Sequence, residues 1–145
     1  MKEIKLIIDR GVLDKYYDYY FGEHPRAKKK PIKNPYHESI NAWMILQRQA
    51  MNSLKQKWKD FIVWYISDKG YADMGIEQCE IEINTYFPTA RKHDPDNYVP
   101  KFILDGFVES GFIKGDDCLH ITKLSLACFI KADEARTEII VKIQE

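Results

Sequence analysis

Between Ser39 and about Ile66 the chain contains neither Pro nor Gly, and this uninterrupted run limits the possible folds more than any other feature. Trp43, Ala50, Leu54, Trp58, Phe61 and Tyr65 recur within it at three- and four-residue steps. That spacing predicts one long amphipathic helix, with Ser39 as N-cap and Asp68-Lys69-Gly70 as its stop. A helix of this kind needs an apolar surface to lie on. Lys2–Ile8 alternates and then turns apolar, and Glu80–Phe87 alternates strictly before Pro88, so both read as strands of a sheet.

Further along, about Asn97 to Ser110 reads as a second helix, with Asn97 as N-cap and Gly111 just past its end. Leu119–Ile130 and Thr137–Ile143 read as strands, and the loop at Asp133-Glu134 predicts that they form an antiparallel hairpin. The order β-α-β-α-β-β implies an α/β (α+β) fold, a mixed sheet of about four strands covered by two helices. With 145 residues, 45% of them hydrophobic, the chain suits one domain spanning 1–145. No apolar run reaches the length of a bilayer span, and Met1-Lys2-Glu3-Ile4 has no signal-peptide character, so a cytoplasmic protein without a membrane partner is expected. Cys79, Cys118 and Cys128 have no metal-site spacing and are odd in number, which favours buried free thiols.

The 22 basic and 22 acidic residues cancel, which argues against a general nucleic-acid coat and directs attention to local patches. Residues Val12 to His37 show no clean period. Within them Arg26, Lys28, Lys29, Lys30 and Lys33 lie between prolines and near several tyrosines, either to neutralise phosphates or as a solvated loop. Arg91 and Lys92 form a second basic pair. Arg48, Asn52, Lys55 and Lys59 share one side of the long helix, a stripe that would face DNA only if it met an acidic site.

Such a site is suggested by His93-Asp94-Pro95-Asp96-Asn97. Pro95 disfavours a helical Asp94, and in an extended segment the Asp94 and Asp96 side chains would point the same way. Two close carboxylates are most easily ionised together beside a cation, and Mg²⁺ favours one or two carboxylates with water and phosphate oxygens. Lys101 begins a polar line with Asp105 and Glu109, while Asp116-Asp117 on a Gly turn could return a third carboxylate. Each piece also has an ordinary meaning: a turn, a helix cap or a surface ion pair.

Taken in order, Arg91-Lys92-His93-Asp94-Pro95-Asp96-Asn97, Lys101-Phe102-Ile103-Leu104-Asp105-Gly106, Gly111-Phe112-Ile113 and Asp116-Asp117 resemble the RusA family of Holliday junction resolvases. The resemblance implies a RusA-like fold and a homodimeric endodeoxyribonuclease of phage type, acting in DNA recombination and repair. Such an enzyme uses Mg²⁺, or Mn²⁺ in its place, to nick four-way junctions or related branched DNA in pairs. By position, Asp94, Asp96 and Asp117 would hold the metal and Lys101 would be the catalytic lysine. The DNA would be held by Arg26, Lys28, Lys29, Lys30, Lys33, Arg91 and Lys92. Lys101 follows the second aspartate by one residue more than in the family, so Lys92 or Arg91 is a candidate for its role. A non-catalytic branched-DNA-binding protein of the same fold, and a domain whose acidic turn is only structural, are the alternatives.

Overall fold

The computed structural model describes residues 2–144, and it is a mixed α+β structure with one four-stranded sheet and four helices. The strands are β1 (Lys2–Ile8), β2 (Cys79–Tyr86), β3 (Ile121–Phe129) and β4 (Arg136–Ile143). The helices are α1 (Arg10–Glu23), α2 (Ile40–Trp43), α3 (Arg48–Asp68) and α4 (Lys101–Glu109), with a 3₁₀ turn at Pro95–Tyr98.

The sheet order is β1-β4-β2-β3. β4 is antiparallel to both of its neighbours, whereas β2 and β3 run parallel. The expected β3–β4 hairpin therefore does not form, because β2 lies between those strands. Parallel neighbours need a crossover, and α4 supplies it between β2 and β3, so the chain leaving β3 must pass over β2 to reach its place. One face of the sheet carries the core, with Ile4, Leu6, Ile8, Ile81, Ile83, Ile139 and Val141 buried. The other is open and laced by Lys5–Glu138 (3.1 Å), Arg136–Glu138 (2.7 Å) and Lys142–Glu82 (2.9 Å) pairs.

The segment without a clean period contains α1, a helix the sequence reading missed. Asp9 caps it by accepting from the Val12 amide at 2.9 Å, and Leu13, Tyr16 and Tyr17 are its buried residues. Their spacing is helical, but Tyr19 and Phe21 on other sides blur the pattern. The predicted long helix is divided. Ser39 caps α2, Gln47 is extended, and α3 starts at Arg48. Trp43 packs against Phe102 (ring centres 5.2 Å apart), which pins α2 over the start of α4, and the chain turns through exposed Met44, Ile45 and Leu46 before α3 begins. Burial on α3 is confined to Trp58, Phe61, Ile62, Tyr65 and Ile66. Its first half, including Ala50, is largely exposed, with only Met51 and Leu54 packed against the core.

The second predicted helix is also interrupted. Val99 precedes Pro100 and is held at φ −59°, ψ 124°, outside the helical region. A 3₁₀ turn therefore covers Pro95–Tyr98, and α4 begins only at Lys101, with Pro100 rather than Asn97 at the N-cap position. Gly111 ends α4 at φ +74°, the left-handed backbone its place after the C-cap requires. All three cysteines are free; Cys79 is buried as expected and Cys128 partly so, but Cys118 is exposed, contrary to the expectation.

Candidate functional site

The loop after β2 begins with a ring stack. His93 lies flat on Phe87 (centroids 3.7 Å apart, 12° between planes), and its Nδ1 is 2.9 Å from the Tyr98 hydroxyl. Tyr36 meets the edges of Phe87 and Tyr98 from the basic loop. Burial, then the neighbouring Arg91, lowers the His93 pKa, so the ring is neutral near pH 7. These contacts fix the backbone that carries Asp94 and Asp96.

Asp94 is extended (φ −95°, ψ 124°), as Pro95 demands, and occupies the N-cap position of the 3₁₀ turn without a side-chain capping bond. Asp96 lies inside the turn, not in a continuing extended segment, so strand alternation does not align the two side chains. Both carboxylates are exposed, and neither forms a hydrogen bond or ion pair with a described residue. Lys101, at the start of α4, is also exposed, and its Nζ lies 3.7 Å from Asp105 Oδ1.

Asp105 has a place of its own. Lys55 of α3 approaches its Oδ2 at 3.8 Å, so the carboxylate sits between two lysines on adjacent helices, and that buried Oδ2 has no hydrogen-bond partner. One turn on, Glu109 pairs with Lys59 at 3.6 Å. The basic stripe predicted on the long helix thus spends Lys55 and Lys59 on α4. Gly106 explains the small residue beside Asp105: a Cβ there would lie 2.5 Å from Ile62 Cβ, so only glycine lets α3 and α4 approach this closely.

Asp117 lies elsewhere. Its backbone carbonyl accepts from the His120 and Ile121 amides, and His120 O accepts from Cys79 N at the start of β2. Asp94 follows the other end of β2, where Phe87 bonds to Phe129 and Ala132, and Thr89 to Lys131. Cys79 and Thr85 alone span about 20 Å of strand. Within one chain, Asp117 is therefore not brought together with Asp94 and Asp96, and among the described residues no group of three His, Cys, Asp or Glu side chains is placed to hold a metal ion. The Asp117 carboxylate instead accepts from the Leu119 amide at 2.9 Å and faces His120 at 4.0 Å.

The basic loop does reach the Asp94 end of the sheet. Thr137 donates to Pro35 O at 2.7 Å, Tyr17 donates to Ile32 O, and Arg10 donates to Lys33 O at 3.1 Å. Between this loop and the first half of α3 runs an open groove of about 1000 Å³. Arg10, Lys29, Lys30, Lys33 and Lys57 line it against the single carboxylate of Glu38. Arg10 and Lys57 join the basic rim without any sequence signal that they would, because each is far along the chain from the lysine run.

His37 is the residue that sequence spacing gave no reason to choose. It is 3% exposed and stacked between Trp58 and Phe102. Its Nε2 accepts from the Phe102 amide at 3.0 Å, filling the capping role that Pro100 cannot, while Nδ1 donates to Glu38 O at 2.7 Å. One neutral ring thus joins the basic loop, α3 and the start of α4.

No family model and no curated protein aligns with it significantly. Nor is any helix long and apolar enough to cross a membrane among the described residues.

Proposed function

We propose that the protein is a structure-specific endodeoxyribonuclease acting on branched DNA, with four-way junctions as its substrate class and Mg²⁺ as its cofactor. The observation that carries this reading is the pair of exposed carboxylates, Asp94 and Asp96, without partners among the described residues and at the same end of the sheet as the basic loop. The ordered likeness of residues 91–117 to the RusA family supports the choice of reaction. Two carboxylates open to solvent fit a hard divalent cation that completes its shell with water and phosphate oxygens. When bound, such an ion supplies charge stabilisation at the phosphate and lowers the pKa of the attacking water.

The chain's own residues divide the remaining work. Asp94 and Asp96 hold the ion. Arg91, Lys92, Arg26, Lys28, Lys29, Lys30 and Lys33 neutralise backbone phosphates and orient the branch by shape. Lys101, exposed beside the acidic loop, offsets charge on the leaving 3′ oxygen or donates a proton to it. Asp105 restrains it from the next turn.

The test uses a synthetic four-way junction and a linear duplex of the same sequence, each with Mg²⁺, Mn²⁺ or chelator. Metal-dependent nicks at the junction are expected, and their absence from folded protein across salt and pH would sink the proposal. Asp94→Asn and Asp96→Asn should each lower cleavage by at least about 100-fold while junction binding remains, since they remove charge that holds the cation rather than phosphate contacts. Asp117→Asn then asks a separate question. Loss of cleavage would mean that the carboxylate arrives from a second subunit of a homodimer; full activity would leave a two-carboxylate site.

The position of Asp117 favours one other reading, a non-catalytic protein that binds branched DNA. Junction binding without product under every metal would select it.

A further inference from the structure

We propose that a second site, between α1 and α3, binds a small organic cation of the alkylammonium type. The cavity there measures about 580 Å³, and its walls include Tyr16, Tyr19, Tyr20 and Trp64 together with Asp60, Asp68 and Glu109. Among the described residues His24 lines it but neither lysine nor arginine does, although the chain as a whole carries as many basic as acidic residues. The cavity is independent of the acidic loop. None of the residues lining it belongs to the acidic loop or to the basic loop, residues 26–33.

Tyr16 is buried at 2% exposure and backs the wall, while the more open rings of Tyr19 and Trp64 supply faces suited to a cation. Tyr16 and Trp64 rings are 5.1 Å apart at 48°, Tyr19 and Trp64 are 6.1 Å apart at 33°, and Tyr16 and Tyr19 stack at 6.1 Å. Tyr19 is 49% exposed, so this wall opens to solvent instead of closing into core. The π faces of Trp and Tyr carry negative electrostatic potential and attract ammonium groups within about 6 Å.

Charge narrows the choice of ligand. Asp68 is neutralised by Lys15 at 2.9 Å and Glu109 by Lys59 at 3.6 Å. Asp60 has no ion pair among the described residues; its only hydrogen bond there is from the Gln56 amide at 2.7 Å. An anion would meet this uncompensated carboxylate, and a neutral apolar ligand would leave it desolvated and unpaired. A hard metal ion would find aromatic faces where it needs oxygen ligands. A cation with an apolar shell satisfies both the rings and the carboxylate.

The test compares choline with its neutral isostere 3,3-dimethylbutan-1-ol, following the Trp64 indole N–H by NMR, with Trp64→Phe identifying the signal. Sodium chloride at matched ionic strength is the control. Choline should shift the Trp64 resonance saturably, and the alcohol should bind several-fold more weakly. Asp60→Asn and Tyr19→Ala, both exposed positions, should each weaken choline by roughly 2- to 30-fold, the range a cation–π contact or a partly exposed charge contact is worth. Equal affinity for the alcohol, an equal shift with sodium chloride, or no shift at Trp64 with tens of millimolar choline would each overturn the proposal. So would unaltered choline affinity in both variants.

Discussion

Both ring nitrogens of His37 are engaged in the neutral form, Nδ1 as donor and Nε2 as acceptor, so a proton on Nε2 would destroy the bond to Phe102. Burial pushes its pKa down from 6.5 to about 4. The unfolded chain therefore binds more protons between those values, and stability rises with pH through that window and is lost as pH falls through it. The full effect is on the order of 3 kcal/mol, from the size of the shift. Urea midpoints measured from pH 4 to pH 7 should show this slope, and His37→Phe should flatten most of it while lowering stability at pH 7 by about 1–3 kcal/mol for the uncapped Phe102 amide. The His93 pKa is lowered in the same direction, by burial first and then by Arg91. At Gly106 the margin is steric. Gly106→Ala gains helix propensity but drives a methyl into Ile62, and a net loss of about 1–2 kcal/mol is expected in the same denaturation assay. Neither residue's job was legible in the sequence: a single histidine in an irregular loop has no periodicity to betray it, and the need for glycine exists only once α3 lies against α4.

Among the elements, β1 is an edge strand whose outer groups need cover. Tyr65 of α3 supplies it, its hydroxyl donating to Ile7 O at 2.7 Å and accepting from Ile7 N at 2.9 Å. Tyr65→Phe should cost about 1–3 kcal/mol and speed exchange of the Ile7 amide more than that of amides in β2, a difference that hydrogen-exchange NMR resolves. Strand positions were readable because each strand follows the two-residue period or is bounded by Pro or a turn, and the Asp9, Ser39 and Gly111 punctuation is where the chain does change direction. What periodicity could not convey was pairing. Thr137–Ile143 looks the same whether its neighbour is β3 or β2, and the choice depends on α4 crossing between β2 and β3. The proline at position 100 was visible, but its consequence, a separate 3₁₀ turn holding Asp96, follows from the restriction on Val99.

At the scale of the whole molecule, zero net charge conceals separation. The end of the sheet that carries Asp94 also bears the basic loop, Arg10, Arg91, Lys92 and Lys101, whereas Asp117 stands with Asp116, Asp73 and a Lys114–Glu77 ion pair around the opposite end. If the basic end grips DNA, affinity for a junction should fall steeply with salt. Replacing Lys28, Lys29 and Lys30 together by alanine should then reduce the slope of log affinity against log salt by about 2–3, read by fluorescence anisotropy. The sequence displayed every member of the acidic motif but not the distance between its halves, because linear order says nothing of the crossover that carries Asp117 away. The same crossover bears on how the chain comes to be folded. The central strand β4 is translated after both of its neighbours, so β1 has no partner and the β2–β3 unit keeps an open side until it emerges. Ribosome-bound chains ending before Arg136 should therefore remain sensitive to protease, and closure of the sheet becomes a late event of synthesis, held back by the long sequence separation it must bridge.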